Sequence, residues 1–139
     1  MGRKIVVTSG KGGVGKTTLT ASLGIAIAET GKKVVLVDAD IGLNNLDVVL
    51  AVENKVVYDV LDVISGKCRL KQALIQDVDN PTLYVLPSAK IQDSPLITAC
   101  SFRNVVDALA LNFDFVIIDC PAGIDNGFHR AVSAATEAI

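Results

Sequence analysis

At 139 residues, half of them apolar, the chain is long enough for one domain with a sizeable core. Its 13 basic and 15 acidic residues leave a net charge of −2, which argues against a dedicated nucleic-acid binder with a strongly basic face. Cys68, Cys100 and Cys120 are widely spaced and form no C-x-x-C pair. A disulfide framework, a zinc site and a bridging iron–sulfur cluster are therefore unsupported, and a reducing cytosol is the expected setting. No apolar stretch reaches the roughly 18 residues of a membrane helix. The start, Met1 to Val6, shows neither a signal peptide nor the Ser or Thr that myristoylation needs at the sixth position.

Strands and helices take turns along the chain. This alternation predicts an α/β fold, a doubly wound, mainly parallel sheet with helices on both faces. Ile5-Val6-Val7 reads as a buried strand ending near Thr8. A helix is expected from Thr17, with Leu19, Leu23 and Ile27 as its inward stripe and Gly31 as its stop. Val34 to Val37 forms the second strand, and a short helix starts near Leu46. Another helix is predicted over Tyr58 to Ser65, with Leu61 and Ile64 inward and Gly66 ending it. Leu83 to Leu86 is the third strand, closed by Pro87. Phe102, Val105, Val106 and Leu109 repeat at i, i+3, i+4, i+7 and mark a helix, followed by a strand over Phe115 to Ile118. Phe128, Ala131, Val132 and Ala135 give the last helix.

The segment between the first strand and the first helix carries the chemistry. Gly10, Lys11, Gly12, Gly13, Val14, Gly15, Lys16, Thr17 and Thr18 satisfy G-x-x-x-x-G-K-[ST], the phosphate-cradling P-loop of nucleoside triphosphate binding proteins. Backbone N–H groups wrap the phosphates, Lys16 serves the outer ones, and Thr17 offers its hydroxyl to magnesium. A glycine-rich turn without a ligand is the competing reading, and the strand before and helix after argue against it. Lys11 is not required by the pattern. Its spacing alone leaves a second phosphate contact and a solvated lysine both open.

Ligands of doubly wound sheets sit beyond the carboxyl ends of the strands. Three predicted strand ends converge there: the P-loop after the first, Asp38 and Asp40 after the second, and Asp119 after the last. Asp119 reads as the carboxylate that orders the water shell of magnesium, an ion with few protein ligands. Asp40 suits the orientation of the attacking water in triphosphate hydrolysis. Asp38 reads equally as a switch residue or a turn cap, and Gly42 supplies backbone freedom to a nucleotide-sensing loop. His129, the single histidine, reads as a surface residue, and Cys120 as buried packing rather than a nucleophile. Lys67, Arg69 and Lys71 form either a partner patch or a solvated flank.

The string KGGVGKTT, Lys11 to Thr18, resembles the deviant Walker A motif of the MinD/ParA/nitrogenase iron-protein class. That resemblance implies that Lys11 reaches across a dimer interface to the other subunit's nucleotide, with Lys11, Lys16 and Asp40 as the catalytic set. VDADIGLNNLD (Val37 to Asp47), VVYDVLDVISGKCRLKQALI (Val56 to Ile75) and DCPAGID (Asp119 to Asp125) are similar to the septum site-determining MinD family, over essentially the whole chain. The similarity implies ATP and Mg2+ as cofactors, with Asp38, Asp40, Gly42 and Asn45 in the switch segment. It implies an ATP-dependent homodimer that recruits a division inhibitor and is released by a topological-specificity protein, while the charge balance leaves nucleic acid unexpected as a partner. Such a protein is cytoplasmic and peripheral on the inner membrane face, docking on anionic lipid through a basic C-terminal helix.

Asn44 stands where the family pattern has arginine, which removes a cation from the switch segment, and Asp125 replaces a glutamate. Asn45 and Asp47 match. A chain of this type continues from Ile139 into another strand and roughly half its mass, so residues 1–139 read as the N-terminal part of a single P-loop ATPase domain. An unpaired sheet edge and weak Mg-ATP turnover are expected of that part alone. The alternatives are a ParA-type partition ATPase, which needs a basic surface, and a non-hydrolysing nucleotide-binding scaffold, whose metal-cluster form needs paired cysteines.

Overall fold

The β-branched and aliphatic runs assemble into one sheet. In the computed structural model, residues 2–7, 14–38, 58, 60–77, 80–87, 99–119 and 137–138 are described, with backbone alone at 14–18, 38, 61, 99 and 137–138. The strands are β1 (Arg3–Val7), β2 (Val34–Asp38), β3 (Ile75–Gln76), β4 (Leu83–Leu86), β5 (Phe115–Asp119) and β6 (Glu137–Ala138). The helices are α1 (Val14–Ala28), α2 (Val60–Ser65), α3 (Leu70–Ala73) and α4 (Ala99–Ala110). Strand order is β3-β4-β2-β5-β1-β6, parallel throughout except for the antiparallel β3–β4 pair. The expected doubly wound, mainly parallel architecture is borne out.

Strand alternation divides the core between two faces. Val7, Val34, Leu36, Leu83, Val85 and Ile117 pack with Ala21 and Ala28 of α1. Val6, Val35, Val37, Leu86, Val116 and Ile118 pack on the other side with Val60 of α2 and Phe102, Val105, Val106 and Leu109 of α4. Central strands buried on both faces need unbroken apolar runs, and VVLV and FVII supply them. A hydrogen-bonded ion pair from Lys4 Nζ to Asp107 Oδ1, at 2.7 Å, ties β1 to α4.

Helix ends follow the glycines. Gly31 has φ +90° and donates to the carbonyl of Ala28. At Gly66, φ +84°, Gly66 donates to Val63 and Lys67 to Asp62, the paired bonds of a Schellman ending.

The inward stripe of α1 differs from expectation. Leu19 is 55% exposed and Leu23 and Ile27 are half-buried, while Thr20, Ala21, Gly24 and Ala28 face the sheet. Close approach selects small residues over large ones here: a Cβ on Gly24 would lie 2.7 Å from Cδ2 of the fully buried Leu36. The helix also starts at Val14 rather than Thr17, so the second half of the glycine-rich segment is already helical. In α2, Val60 is the fully buried residue and Ile64 is half-buried, because the helix begins two residues later than Tyr58. The side chain of Leu61 lies outside the described residues.

Two elements had no sequence forecast, α3 and β3. Each is too short to show a period, and β3 owes its strand geometry to pairing with β4. β6 pairs parallel to β1 at Glu137–Ala138, before the point where a further strand was expected. The predicted helices near Leu46 and over Phe128 to Ala135, together with Asn44, Asp47, Cys120, Asp125 and His129, lie outside the described residues.

Gly24→Val overfills the α1–sheet contact and is expected to destabilise the full chain by about 2 kcal/mol, read as a lower denaturant midpoint at unchanged slope. An unchanged midpoint would contradict this packing.

Candidate functional site

The carboxyl edge of the sheet is organised around β5. This strand lies between β1 and β2, and its last residue, Asp119, is in register with Val7 on one side and Asp38 on the other. The ends of three strands far apart in sequence therefore meet along one short line. Asp119 is fully buried, as is Thr20 in the second turn of α1. The Thr20 hydroxyl donates to Asp119 Oδ1 at 3.5 Å, a long bond that sets position more than it adds energy. It lies where the packing of α1 on the sheet sets the helix's second turn over the end of β5.

Because α1 begins at Val14, the N–H groups of Val14 to Thr17 fall in its first turn. The first four N–H groups of a helix have no acceptor within it, and the helix dipole adds partial positive charge there. No acidic residue occupies that first turn. A helix start free of its own carboxylates, beside a buried strand-end carboxylate, suits a phosphate group together with a hard divalent cation. Those are the donors that a magnesium–nucleotide pair requires, so the residues present fit it.

Of the expected site residues, the structure brings together the backbone of Val14, Gly15, Lys16, Thr17 and Thr18, the backbone of Asp38, and Asp119 with its side chain. The side chains of Val14, Lys16, Thr17, Thr18 and Asp38 lie outside the described residues. So do Gly10, Lys11, Gly12, Gly13, Asp40, Gly42 and Asn45 altogether. Thr20 is the residue that sequence reasoning missed. The signal for it was present: Thr20, Ala21, Gly24 and Ala28 are the small residues at i, i+1, i+4, i+8, the pattern of a face pressed against a sheet.

A family model described as an AAA domain matches residues 2–139. The chain belongs to the AAA domain family. Within it, the chain is 52% identical to the septum site-determining protein MinD of Bacillus subtilis, over all of this chain and 52% of that protein. Among solved structures, this AAA domain is similar to the MinC:MinD cell division protein complex of Aquifex aeolicus. There the TM-score is 0.86 and the identity 47%, over 98% of this chain and 54% of that one. It is also similar to MinD complexed with Mg-ADP from Pyrococcus horikoshii, with a TM-score of 0.87 and 37% identity over 99% of this chain and 56% of that one. The chain thus spans about half the length of the relatives it matches.

Thr20→Val keeps the shape of the side chain and removes the hydroxyl from the buried carboxylate. It is expected to cost about 1 kcal/mol, measured by chemical denaturation of the full chain, whereas Thr20→Ser should stay within about 0.5 kcal/mol of wild type on this account.

Proposed function

We propose that the protein carrying this chain is a magnesium-dependent ATPase of the MinD type, which positions the bacterial division septum by dimerising with ATP bound. The observation that carries this reading is Asp119, buried between the ends of β1 and β2 and bonded to α1. It supplies a carboxylate where the P-loop motif needs one. Identity of 52% to a MinD across the whole chain supports the choice of branch.

In this reading the N–H groups of Gly10 to Thr18 hold the phosphates and Lys16 neutralises the outer ones. Lys11 reaches the nucleotide of the partner subunit, so each site is complete only in the dimer. Thr17 and Asp119 are the residues that would hold magnesium, the first through its hydroxyl and the second through its carboxylate. The chemistry that magnesium supplies when bound is neutralisation of the phosphate charge. Asp40 orients the attacking water, and Asp38, Gly42 and Asn45 belong to the segment that responds to the outer phosphate. Positioning and charge stabilisation suffice for phosphoryl transfer, so no covalent step on the protein is required.

The partners follow from the same reading: a division inhibitor of the MinC kind, a topological-specificity protein that stimulates hydrolysis, and anionic lipid on the inner face of the cell membrane. The absence of a strongly basic composition weighs against DNA as a partner.

In the full-length protein, Lys11→Ala is expected to abolish the ATP-dependent dimer in analytical ultracentrifugation. Asp40→Ala should keep that dimer and lower phosphate release by about a hundredfold or more. Equal dimer populations for wild type and Lys11→Ala, or undiminished release from Asp40→Ala, would refute the assigned roles. Full-length protein should also sediment with phosphatidylglycerol-containing liposomes in ATP but not in ADP, and plasmid DNA should not compete. DNA binding without lipid binding would move the protein to the partition branch of the class.

A further inference from the structure

At the opposite edge of the sheet, around the amino ends of the strands, a cavity of about 560 Å³ opens beside α3. Leu70, Leu74, Tyr84 and Phe113 form its apolar wall, and Lys33, Arg69 and Lys71 are the charged residues that line it. All three cations are exposed, and no carboxylate belongs to the described lining. The basic cluster that looked in sequence like either a patch or a solvated flank therefore borders a concave, aromatic-walled hollow.

Among the described residues the lining of the cavity is cationic, with no carboxylate in it. None of Lys33, Arg69 and Lys71 makes an ion pair among the described residues. The main-chain N–H of Lys33 donates to Asp114 Oδ2 at 2.9 Å, which places one carboxylate close to Lys33 but outside the cavity lining. Lys33 Nζ stands 4.9 Å from the ring centre of Phe113 and 5.7 Å from that of Tyr84, and the two rings meet edge to face. Such a cation is held in place over the aromatic wall without losing its charge. Three cations without an ion pair among the described residues, at one hollow of a chain with net charge −2, are a local excess that suits an anionic occupant.

Shape narrows the class. The volume falls in the range of about 300–1,000 Å³ typical of ligand sites, and a hollow accepts inserted side chains where a flat bilayer surface would leave it unfilled. β3 is the terminal strand of the described sheet and Gln76 of β3 lines the cavity, so an extended chain passing there meets a strand edge as well.

We propose that this cavity docks an acidic, extended peptide segment of a partner protein. An apolar side chain enters against Leu70, Tyr84 and Phe113 while flanking carboxylates meet Lys33, Arg69 and Lys71. The strands separate this surface from the carboxyl edge, so the peptide and a nucleotide do not compete. The proposal stands independently of which nucleotide, if any, occupies that edge.

The test is fluorescence anisotropy with the full chain and a labelled peptide bearing a central Leu-Phe flanked on both sides by glutamates. Arg69→Glu/Lys71→Glu, and separately Lys33→Glu, should each weaken binding roughly tenfold or more, as should added salt or replacement of the peptide's glutamates by glutamine. Circular dichroism and nucleotide hydrolysis of these surface variants should match wild type. No binding by wild type, or equal binding by wild type and the charge-reversed variants, would overturn the proposal. So would ATP-independent binding to phosphatidylglycerol vesicles that the same substitutions abolish while the peptide fails to bind, since that would assign the surface to a membrane.

Discussion

The site depends on where β5 lies. β1 and β2 are consecutive strands in the chain, yet they do not pair; β5 is inserted between them and hydrogen-bonds to both. The crossover through α1 must therefore pass over β5, and its right-handed sense puts α1 on one face of the sheet. Asp119 gains its neighbours from this insertion alone. A carboxylate at the end of an edge strand would sit in water, whereas here it is closed in by two strand ends and the second turn of a helix. Burying an ionisable group costs free energy unless polar partners replace the water, which is the reason the Thr20 hydroxyl matters despite its long bond.

Close packing of α1 follows from the same arrangement. A helix that must hold its N-terminal turn near the strand ends cannot stand off on bulky leucines. Thr20, Ala21, Gly24 and Ala28 let the backbone come down onto Leu36, and the leucine and isoleucine side chains are displaced to the flanks. This costs intrinsic helix propensity, about 1 kcal/mol for a mid-helix glycine relative to alanine. The contact with the fully buried Leu36 offsets that loss. α4 faces no such demand, and its large apolar residues at i, i+3, i+4, i+7 pack as their spacing indicates.

The two edges of the sheet differ in chemistry. At the carboxyl edge lie buried carboxylate, hydroxyl and helix-start amides, a set for phosphate and a hard cation. At the amino edge lie aromatic walls and exposed cations, a set for carboxylates. Five-residue strands separate the edges by about 16 Å, long enough for two ligands to bind without touching. A parallel sheet makes this division possible, because all its described strands but β3 present the same end to the same edge.

Much of the fold was legible locally. Doubly buried strands read as apolar runs, α4 as a helical period, and Gly31 and Gly66 as helix stops, since each is a property of a few adjacent residues. The P-loop motif and the strand-end position of Asp119 were legible for the same reason. α3 and β3 were not, because four and two residues cannot establish a period, and β3 depends on pairing with β4 for its geometry. Thr20 escaped because large apolar residues suggested one face of α1 and close approach selected another. The cationic cavity escaped because Lys33, Arg69 and Phe113 come from separate segments. The sequence by itself determined which residues form the longer strands and helices and which carry the phosphate-loop motif, because these rest on short-range sterics and residue chemistry. Only the tertiary structure decided that β5 lies between β1 and β2, that Thr20 meets Asp119, and that the basic cluster borders an aromatic hollow, because each is a contact between segments brought together only when the sheet is assembled.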